Sequence, residues 1–466
     1  MAHDVVVVGG GPGGYAVAFR AAARGLDVAL IESAKVGGTC LHRGCIPSKA
    51  ILHVAEVMDE VNRAATLGLD LTFNGLNGEA LDAFRGDVVS QMHRGLEGLV
   101  KQRCSAFHEG RGRLVSPGVV EVTAADGSVS RVEGRNVVLA TGSVPRSLPG
   151  IDVDGEVVLT SDQALWFLEA PQRAVIVGAG AIGMEFASMW HPFGTEVTVV
   201  EALDRALPLE DVDSSKAVQR AFKKKGIEVL TSTKLEKVAV GQTASGAEAT
   251  VEVSVDGGSR SIDADVVLVA IGRAPNTADT GAAELGILDD RGFAVTDEYG
   301  RTSVDGVWAV GDVLPTLALA HAAFSEGFVV ADVIAGERIE PVDYDLVPRV
   351  TYCHPEVASV GLTEEAARER FGDDVDTTTY NLRANARALI AGVDGHVKLV
   401  TRRGGQTLGV HIVGPHATDL IAEATMATYW EALPAEVAAI THAHPTLYEA
   451  IGEAFLAASG TPFHGH

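Results

Sequence analysis

The chain has 466 residues, 47% of them apolar, and a formal net charge of −25. That length exceeds a single hydrophobic core and predicts about three domains, and the acidic balance argues against nucleic acid or an anionic membrane surface as a partner. With only four cysteines and no apolar run of membrane-spanning length, disulfide-stabilised secreted and membrane-spanning classes are set aside.

The opening Met1-Ala2-His3-Asp4 lacks the basic region of a signal peptide, so a cytoplasmic protein is expected. Residues 4–8 read as a short apolar strand, followed by glycines at 9, 11 and 14, an alanine-rich helix to about residue 24, a second strand over 27–31, and Glu32. Strand, glycine turn, helix, strand and acid make a dinucleotide-binding unit. Its glycines let the backbone approach a pyrophosphate at the helix N-terminus, and its carboxylate takes ribose hydroxyls.

The stretch Gly37-Gly38-Thr39-Cys40-Leu41-His42-Arg43-Gly44-Cys45-Ile46-Pro47-Ser48-Lys49 follows. Residues five apart in a regular helix lie roughly 8 to 9 Å apart between Cα atoms, beyond the roughly 7 Å reach of a disulfide. The segment is therefore expected to bend, and Gly44 permits it. A helix is expected to begin near Cys45, with Pro47 in its first turn and Lys49 on the same face four residues on. A helix N-terminus and an ammonium both favour a thiolate at Cys45. A redox pair and two buried structural thiols are both open readings here.

Residues 50–135 read as helices, with Met58 and Met92 in their core, and then strands, with Asp126-Gly127 as a hairpin signal. A buried strand then ends in Thr141-Gly142. The nucleotide unit recurs at Gly178, Gly180, Gly183 and Glu201, with 23 positions from first glycine to acid in both copies. Glu201 suits a free 2′-hydroxyl and would repel a 2′-phosphate, which predicts NAD rather than NADP, with Arg205 an exposed loop charge. Residues 266–273 repeat the strand-and-turn shape, ending in Gly272-Arg273. A β-rich run ends at Gly311-Asp312, and Ala320-His321 opens a helix, where His321 is either a ligand contact or a cap. From about residue 346 strands and charged helices follow without a glycine fingerprint. Near the end stands His442-Ala443-His444-Pro445-Thr446-Leu447-Tyr448-Glu449. Pro445 sets His444 in an extended conformation, from which Glu449 on the next helix reaches its ring; a carboxylate there fixes the tautomer and raises the basicity of the other nitrogen. His442 is a second candidate, and Cys104 and Cys353 are expected to be structural.

The cysteine run resembles the redox motif of the pyridine nucleotide-disulfide oxidoreductases, and the likeness covers nearly the whole chain. It is closest to the members that oxidise dihydrolipoamide. The resemblance implies an α/β fold with two Rossmann-like dinucleotide-binding domains, for FAD and NAD, and a C-terminal α+β dimerisation domain. The implied segments are 1–148 (FAD, first part), 149–270 (NAD), 271–345 (FAD and central, second part) and 346–466 (dimerisation). It implies a Cys40–Cys45 disulfide, with Cys40 exchanging with substrate and Cys45 beside the flavin, and Lys49 meeting Glu185 near the flavin. His444 and Glu449 would be an acid–base pair serving the opposite subunit's disulfide. Gly9, Gly11, Gly14, Glu32, Lys49, Thr141, Gly142, Asp312, Ala320 and His321 would contact FAD. Gly178, Gly180, Gly183, Glu201, Gly272 and Arg273 would contact NAD. No metal site is implied.

The implied reaction is oxidation of protein-bound dihydrolipoamide with reduction of NAD⁺, by a homodimer whose partner is the lipoyl-bearing protein of a 2-oxo acid dehydrogenase complex or glycine cleavage system. Alternatives within reach of the same motifs are a reductase of a small disulfide, mycothione or glutathione-like, and an NADH-dependent quinone reductase or diaphorase. Two departures from the family pattern stand out: the basic spacer Leu41-His42-Arg43, and Tyr448 where a small residue is frequent.

Overall fold

The computed structural model describes residues 2–243, 246–255 and 257–465. Met1 and His466, the outer bounds of the first and last expected segments, lie outside the described residues. The chain divides into two compact units. The first comprises the chain up to Ile51, Asn77–Arg146 and Arg273–Tyr344; the second comprises Leu52–Leu76, Ser147–Gly272 and the chain from Asp345.

The first unit is built on a seven-stranded sheet in which Ala106–Glu109, Val28–Glu32, His3–Val8 and Val129–Leu139 lie side by side in parallel. Val307–Ala309 joins the far half of Val129–Leu139 in parallel, and Val119–Thr123 and Arg111–Ser116 continue from its near half as an antiparallel meander. The expected hairpin is present, with Gly127 at φ +82 in its turn. His3–Val8 is valine at four consecutive positions and buried on both faces, as a strand covered on both sides requires. One cover is the helix Pro12–Ala23, which lies against Ala320–Ile334. Gly327 allows the two helices to meet closely: a Cβ there would stand 2.9 Å from the Ala16 methyl and from the Gly13 carbonyl oxygen.

In the helix Gly78–Arg103 the buried positions Leu81, Arg85 and Val89 advance in steps of four, which rotates the stripe forward along the helix. His93 therefore turns inward at the next level, and Met92, expected in the core, is exposed. Met58 is buried as expected.

The second unit contains a five-stranded, wholly parallel sheet ordered Glu228–Leu230, Glu196–Val200, Arg173–Val177, Val266–Val269, Val158–Thr160. The unit also carries a three-stranded antiparallel sheet of Lys234–Thr243, Gly246–Val255 and Gly258–Ala264, and a five-stranded antiparallel sheet whose strands run in sequence from Arg349–Thr351 to Thr407–Gly414. The helices Ala417–Tyr429 and Glu449–Ala458 close the core of that last sheet through Ile421, Ala424, Ile451 and Phe455. Lys398 is buried in this unit, 2.9 Å from Asp211, 2.7 Å from Asp213 and 2.8 Å from Glu364. Burial pulls its pKa down, but the three carboxylates outweigh this and hold it above the ordinary lysine value. Among the described residues no helix is long and apolar enough to cross a membrane.

Candidate active site

The two glycine turns are built alike. Gly9 and Gly178 have φ of +106 and +107, and a Cβ at either would overlap a backbone carbonyl, of Ala140 and Ala270 respectively. A Cβ at Gly14 or Gly183 would overlap the carbonyl of Gly9 or Gly178. The middle glycines differ in kind. Gly11 and Gly180 have ordinary φ values of −75 and −74, with nothing nearer than 3.9 Å to a Cβ at Gly11 and nothing within 4 Å at Gly180. The chain itself does not require glycine there. The open space lies at the start of a helix whose first-turn N–H groups have no side-chain cap, and a pyrophosphate fits that cradle.

The acids match as well. Glu32 accepts the N–H of Gly10 at 2.7 Å and of Ala34 at 2.8 Å; Glu201 accepts the N–H of Ala179 at 2.7 Å and of Leu203 at 2.8 Å. Both oxygens of Glu201 and Oε2 of Glu32 keep a further lone pair, the acceptor a ribose hydroxyl needs, while Glu32 Oε1 also takes the Ser33 hydroxyl at 3.4 Å. Both turns thus fit a dinucleotide. Arg205, expected to be an exposed charge, is half-buried and donates to the Pro208 carbonyl at 3.3 Å, with Glu365 at 3.7 Å.

Thr141, Gly142 and Asp312 come together in the first unit. Asn276 N–H donates to the Gly142 carbonyl at 2.8 Å, and the Thr141 hydroxyl donates to the Asn276 carbonyl at 2.6 Å. Ser143 donates to Asp312 at 2.5 Å and accepts from Arg273 Nε at 2.7 Å, while Arg273 Nη2 reaches the Ser143 carbonyl at 2.8 Å. Arg273, read from sequence with the second nucleotide turn, is thereby placed beside Asp312. Gly272 remains at the end of the second unit's segment, with φ +108. The turn at Gly311 is held from below by buried Glu326, which accepts the Gly311 N–H at 2.6 Å and the Thr316 and Tyr344 hydroxyls at 2.9 and 2.7 Å. Ala320 and His321 are the first two residues of their helix. Its cap position is Leu319 with no side-chain cap, so His321 does not serve as the cap.

Around the cysteines, Gly38–Arg43 forms a short helix and Cys45–Asn62 a long one. The expected bend is concentrated at one residue: Gly44, at φ −150 and ψ −113, separates them, and Cys40 itself is helical. Gly37 and Gly38, at φ +107 and +56, make the entry turn, and Gly38 packs on the Gly11 backbone. Cys40 and Cys45 lie together as free thiols, the reduced form of the pair that the resemblance implies. A hydrogen bond with Cys45, then burial, then the Cys45 charge push the Cys40 thiol far above its ordinary value, and Lys49 opposes them. Tyr15 faces the same pair; burial and the charges at Cys40 and Cys45 push its phenol up to about 12. His42, in the spacer, is tied to the Val36 carbonyl at 2.9 Å, and burial lowers its pKa. Burial pushes Cys104 up to about 11 and raises Cys353 well above its ordinary value, as unreactive thiols require.

Glu185, His444 and Glu449 belong to the second unit. Glu185 is buried near the start of the helix Ala181–Trp190 and accepts the Tyr352 N–H at 3.0 Å. His444 is 72% exposed, with Nδ1 3.2 Å from each oxygen of Glu449, which also accepts the Thr446 N–H at 3.1 Å. His442 is 9% exposed, with Nε2 2.8 Å from Glu423 and Nδ1 3.0 Å from the Ile440 carbonyl. Both its nitrogens are engaged; His444 alone of the two presents an outward edge.

The family profile of the pyridine nucleotide-disulphide oxidoreductases matches residues 3–327, and that of their dimerisation domain matches residues 347–455. The chain belongs to this family. It is 42% identical to a dihydrolipoyl dehydrogenase of Bacillus subtilis over 99% of both chains, and 39% identical to a leghemoglobin reductase of Glycine max over 100% of this chain and 89% of that one. Among solved structures it is similar to LpdA from Mycobacterium tuberculosis, with a TM-score of 0.89 at 29% identity over 97% of this chain and 99% of that one. As a member of the pyridine nucleotide-disulphide oxidoreductases it uses FAD and NAD, in agreement with the two turns above. Ser143, Glu326 and Tyr344, absent from the sequence reading, surround the Asp312 turn. Nothing in the sequence marks them, because each acts on a residue 15 to 169 positions away.

Proposed function

We propose that this protein is a dihydrolipoyl dehydrogenase, oxidising protein-bound dihydrolipoamide with reduction of NAD⁺. The observation that carries this reading is the Cys40–Cys45 thiol pair, joined by a hydrogen bond and offset by Lys49 on the helix that begins at Cys45. Residues 1–148 and 271–345 would hold FAD, 149–270 NAD, and 346–466 the contact with a second copy. The matching turns and the carboxylate at Glu201 support NAD as coenzyme. The small number of cysteines supports the cytoplasm as compartment.

In the oxidised enzyme Cys40 and Cys45 form the disulfide. His444, supplied by the opposite subunit, takes the proton of a substrate thiol at Nε2 while Glu449 holds Nδ1. The substrate thiolate attacks Cys40 Sγ, the S–S bond breaks, and Cys45 leaves as a thiolate. The second substrate thiol then attacks the substrate sulfur of the mixed disulfide; His444 gives the proton it holds to the departing Cys40 sulfur and takes that of the second thiol. Two electrons now reside on the cysteine pair, and the lipoyl group is released as its cyclic disulfide. FAD, held at the turn of Gly9, Gly11 and Gly14 with Glu32, would supply the two-electron link between the thiol pair and NAD⁺. The lipoyl group arrives on the lipoyl-bearing protein of a 2-oxo acid dehydrogenase complex or glycine cleavage system.

A substrate panel on the purified holoenzyme tests the reading: dihydrolipoamide, glutathione disulfide, mycothione and quinones, each with NAD(H) and NADP(H). Dihydrolipoamide with NAD⁺ is expected to give the highest kcat/KM. A small disulfide with NADPH, or a quinone with NADH, turning over faster would overturn it.

A further inference from the structure

At Tyr448, where the resemblance implies a small residue, the side chain has a definite place. Its hydroxyl oxygen accepts the N–H of Ala443 at 2.9 Å, and its ring centroid lies 5.5 Å from that of His442. His442 is anchored in turn, by Glu423 on the helix Ala417–Tyr429 and by the Ile440 carbonyl. Gly452 closes on the same imidazole, since a Cβ there would stand 2.5 Å from Nδ1. On the other side of the loop the Thr446 hydroxyl donates to the Ala443 carbonyl at 2.6 Å, and Asn385 donates to the Thr446 carbonyl at 2.9 Å. Both polar groups of Ala443, the residue before His444, are therefore held, the N–H by Tyr448 and the carbonyl by Thr446.

The His444–Glu449 contacts are long for a charge-assisted pair, 3.2 Å to each oxygen, at the outer edge of the N–H···O range. Such a forked contact limits ring rotation but does not fix the Cα from which the ring projects. The backbone anchor must supply that, and a misplacement on the order of 1 Å is enough to cost a proton transfer about 100-fold.

We propose that Tyr448 is a positioning residue for His444, its hydroxyl and ring together fixing the backbone from which the base extends. The inference rests on the reading of His444 as the base. It is tested in the holoenzyme by a double-mutant cycle of Tyr448→Phe, His444→Gln and the two combined, measuring dihydrolipoamide oxidation with NAD⁺ across neutral pH. Tyr448→Phe keeps the ring and its packing on His442, so an unchanged thermal midpoint is expected. It should lower kcat/KM for dihydrolipoamide roughly 3- to 10-fold, the worth of one hydrogen bond, and have no further effect once His444 is replaced. Tyr448→Ala, which also removes the ring, should lose more. A Tyr448→Phe enzyme at the parent rate, or one that loses the same factor in the His444→Gln background, overturns the inference. A His444→Gln enzyme at near-parent rate would instead overturn the base assignment, so the two failures are distinguishable.

Discussion

Glu201 reaches back over its own nucleotide turn to accept the N–H of Ala179 at 2.7 Å, and with its other oxygen accepts that of Leu203 at 2.8 Å. One side chain thus fixes the turn and keeps lone pairs on both oxygens open to a ligand hydroxyl. Replacing Glu201 with Ala removes both services. The KM for NAD⁺ is expected to rise about tenfold or more, equivalent to about 1.4 kcal/mol per tenfold, and NADPH should become a relatively better reductant. Initial rates at varied coenzyme check this; an unchanged KM for NAD⁺ would remove Glu201 from the coenzyme site.

Gly180 and Gly183 separate ligand space from chain packing. Gly180→Ala meets no protein atom within 4 Å and should fold with an unchanged melting midpoint while losing NAD⁺ affinity. Gly183→Ala drives its methyl into the Gly178 carbonyl and should destabilise the protein outright. Thermal unfolding and NAD⁺ titration of the two variants provide the comparison. A Gly180→Ala enzyme with full affinity would show that no pyrophosphate lies there.

Cys45→Ser should abolish dihydrolipoamide turnover, by more than about 100-fold, because no internal thiolate remains to leave. The FAD content should stay at the parent ratio, since the glycine turn and Glu32 are untouched. Turnover near the parent rate would reassign the flavin-side thiol.

Acid should weaken the fold through two buried histidines. Burial lowers His396 and His411 to about 4 from 6.5, with Asp211 and Asp213 opposing for His396 and Asp211 for His411. Between pH 6.5 and 4 the unfolded chain binds two protons that the folded chain refuses. Their stabilising contribution is therefore complete above 6.5 and is lost as pH falls toward 4, on the order of 3 kcal/mol per histidine. Melting midpoints measured across that window should fall, and His411→Gln should make the fall shallower. An identical slope in that variant would acquit His411.

Lys398→Met should leave Asp211, Asp213 and Glu364 clustered without their cation, at a cost of about 3–5 kcal/mol. The deficit should shrink in acid as the carboxylates take up protons. A melting midpoint equal to the parent's at neutral pH would contradict this.

The nucleotide turns and the cysteine motif were legible because their geometry is local: a glycine's φ, a helix start and a strand end are set within about 25 residues. Gly44 as the bend and Cys45 as a helix start were legible for the same reason. The environment of Asp312 was not, since Ser143, Arg273 and Glu326 reach it from separate stretches of chain, and Arg273 read naturally with the glycine that precedes it. Pro445 and Glu449 favour His444 in the sequence, but what ties the His442 ring down is Glu423, 19 positions away, together with the Ile440 carbonyl. Lys398 reads as an ordinary strand charge until three distant carboxylates surround it, and Met92 as core until the drift of the helix stripe is known.

The two glycine turns share steric constraints, acid spacing and carboxylate hydrogen bonds almost atom for atom, yet by this reading one retains a resident flavin and the other admits a visiting coenzyme. A difference between tenant and guest therefore has to originate outside the turn. Grafting one copy's glycine loop onto the other should leave ligand choice where it was, which makes the chain its own matched control for asking what surroundings, rather than fingerprints, decide.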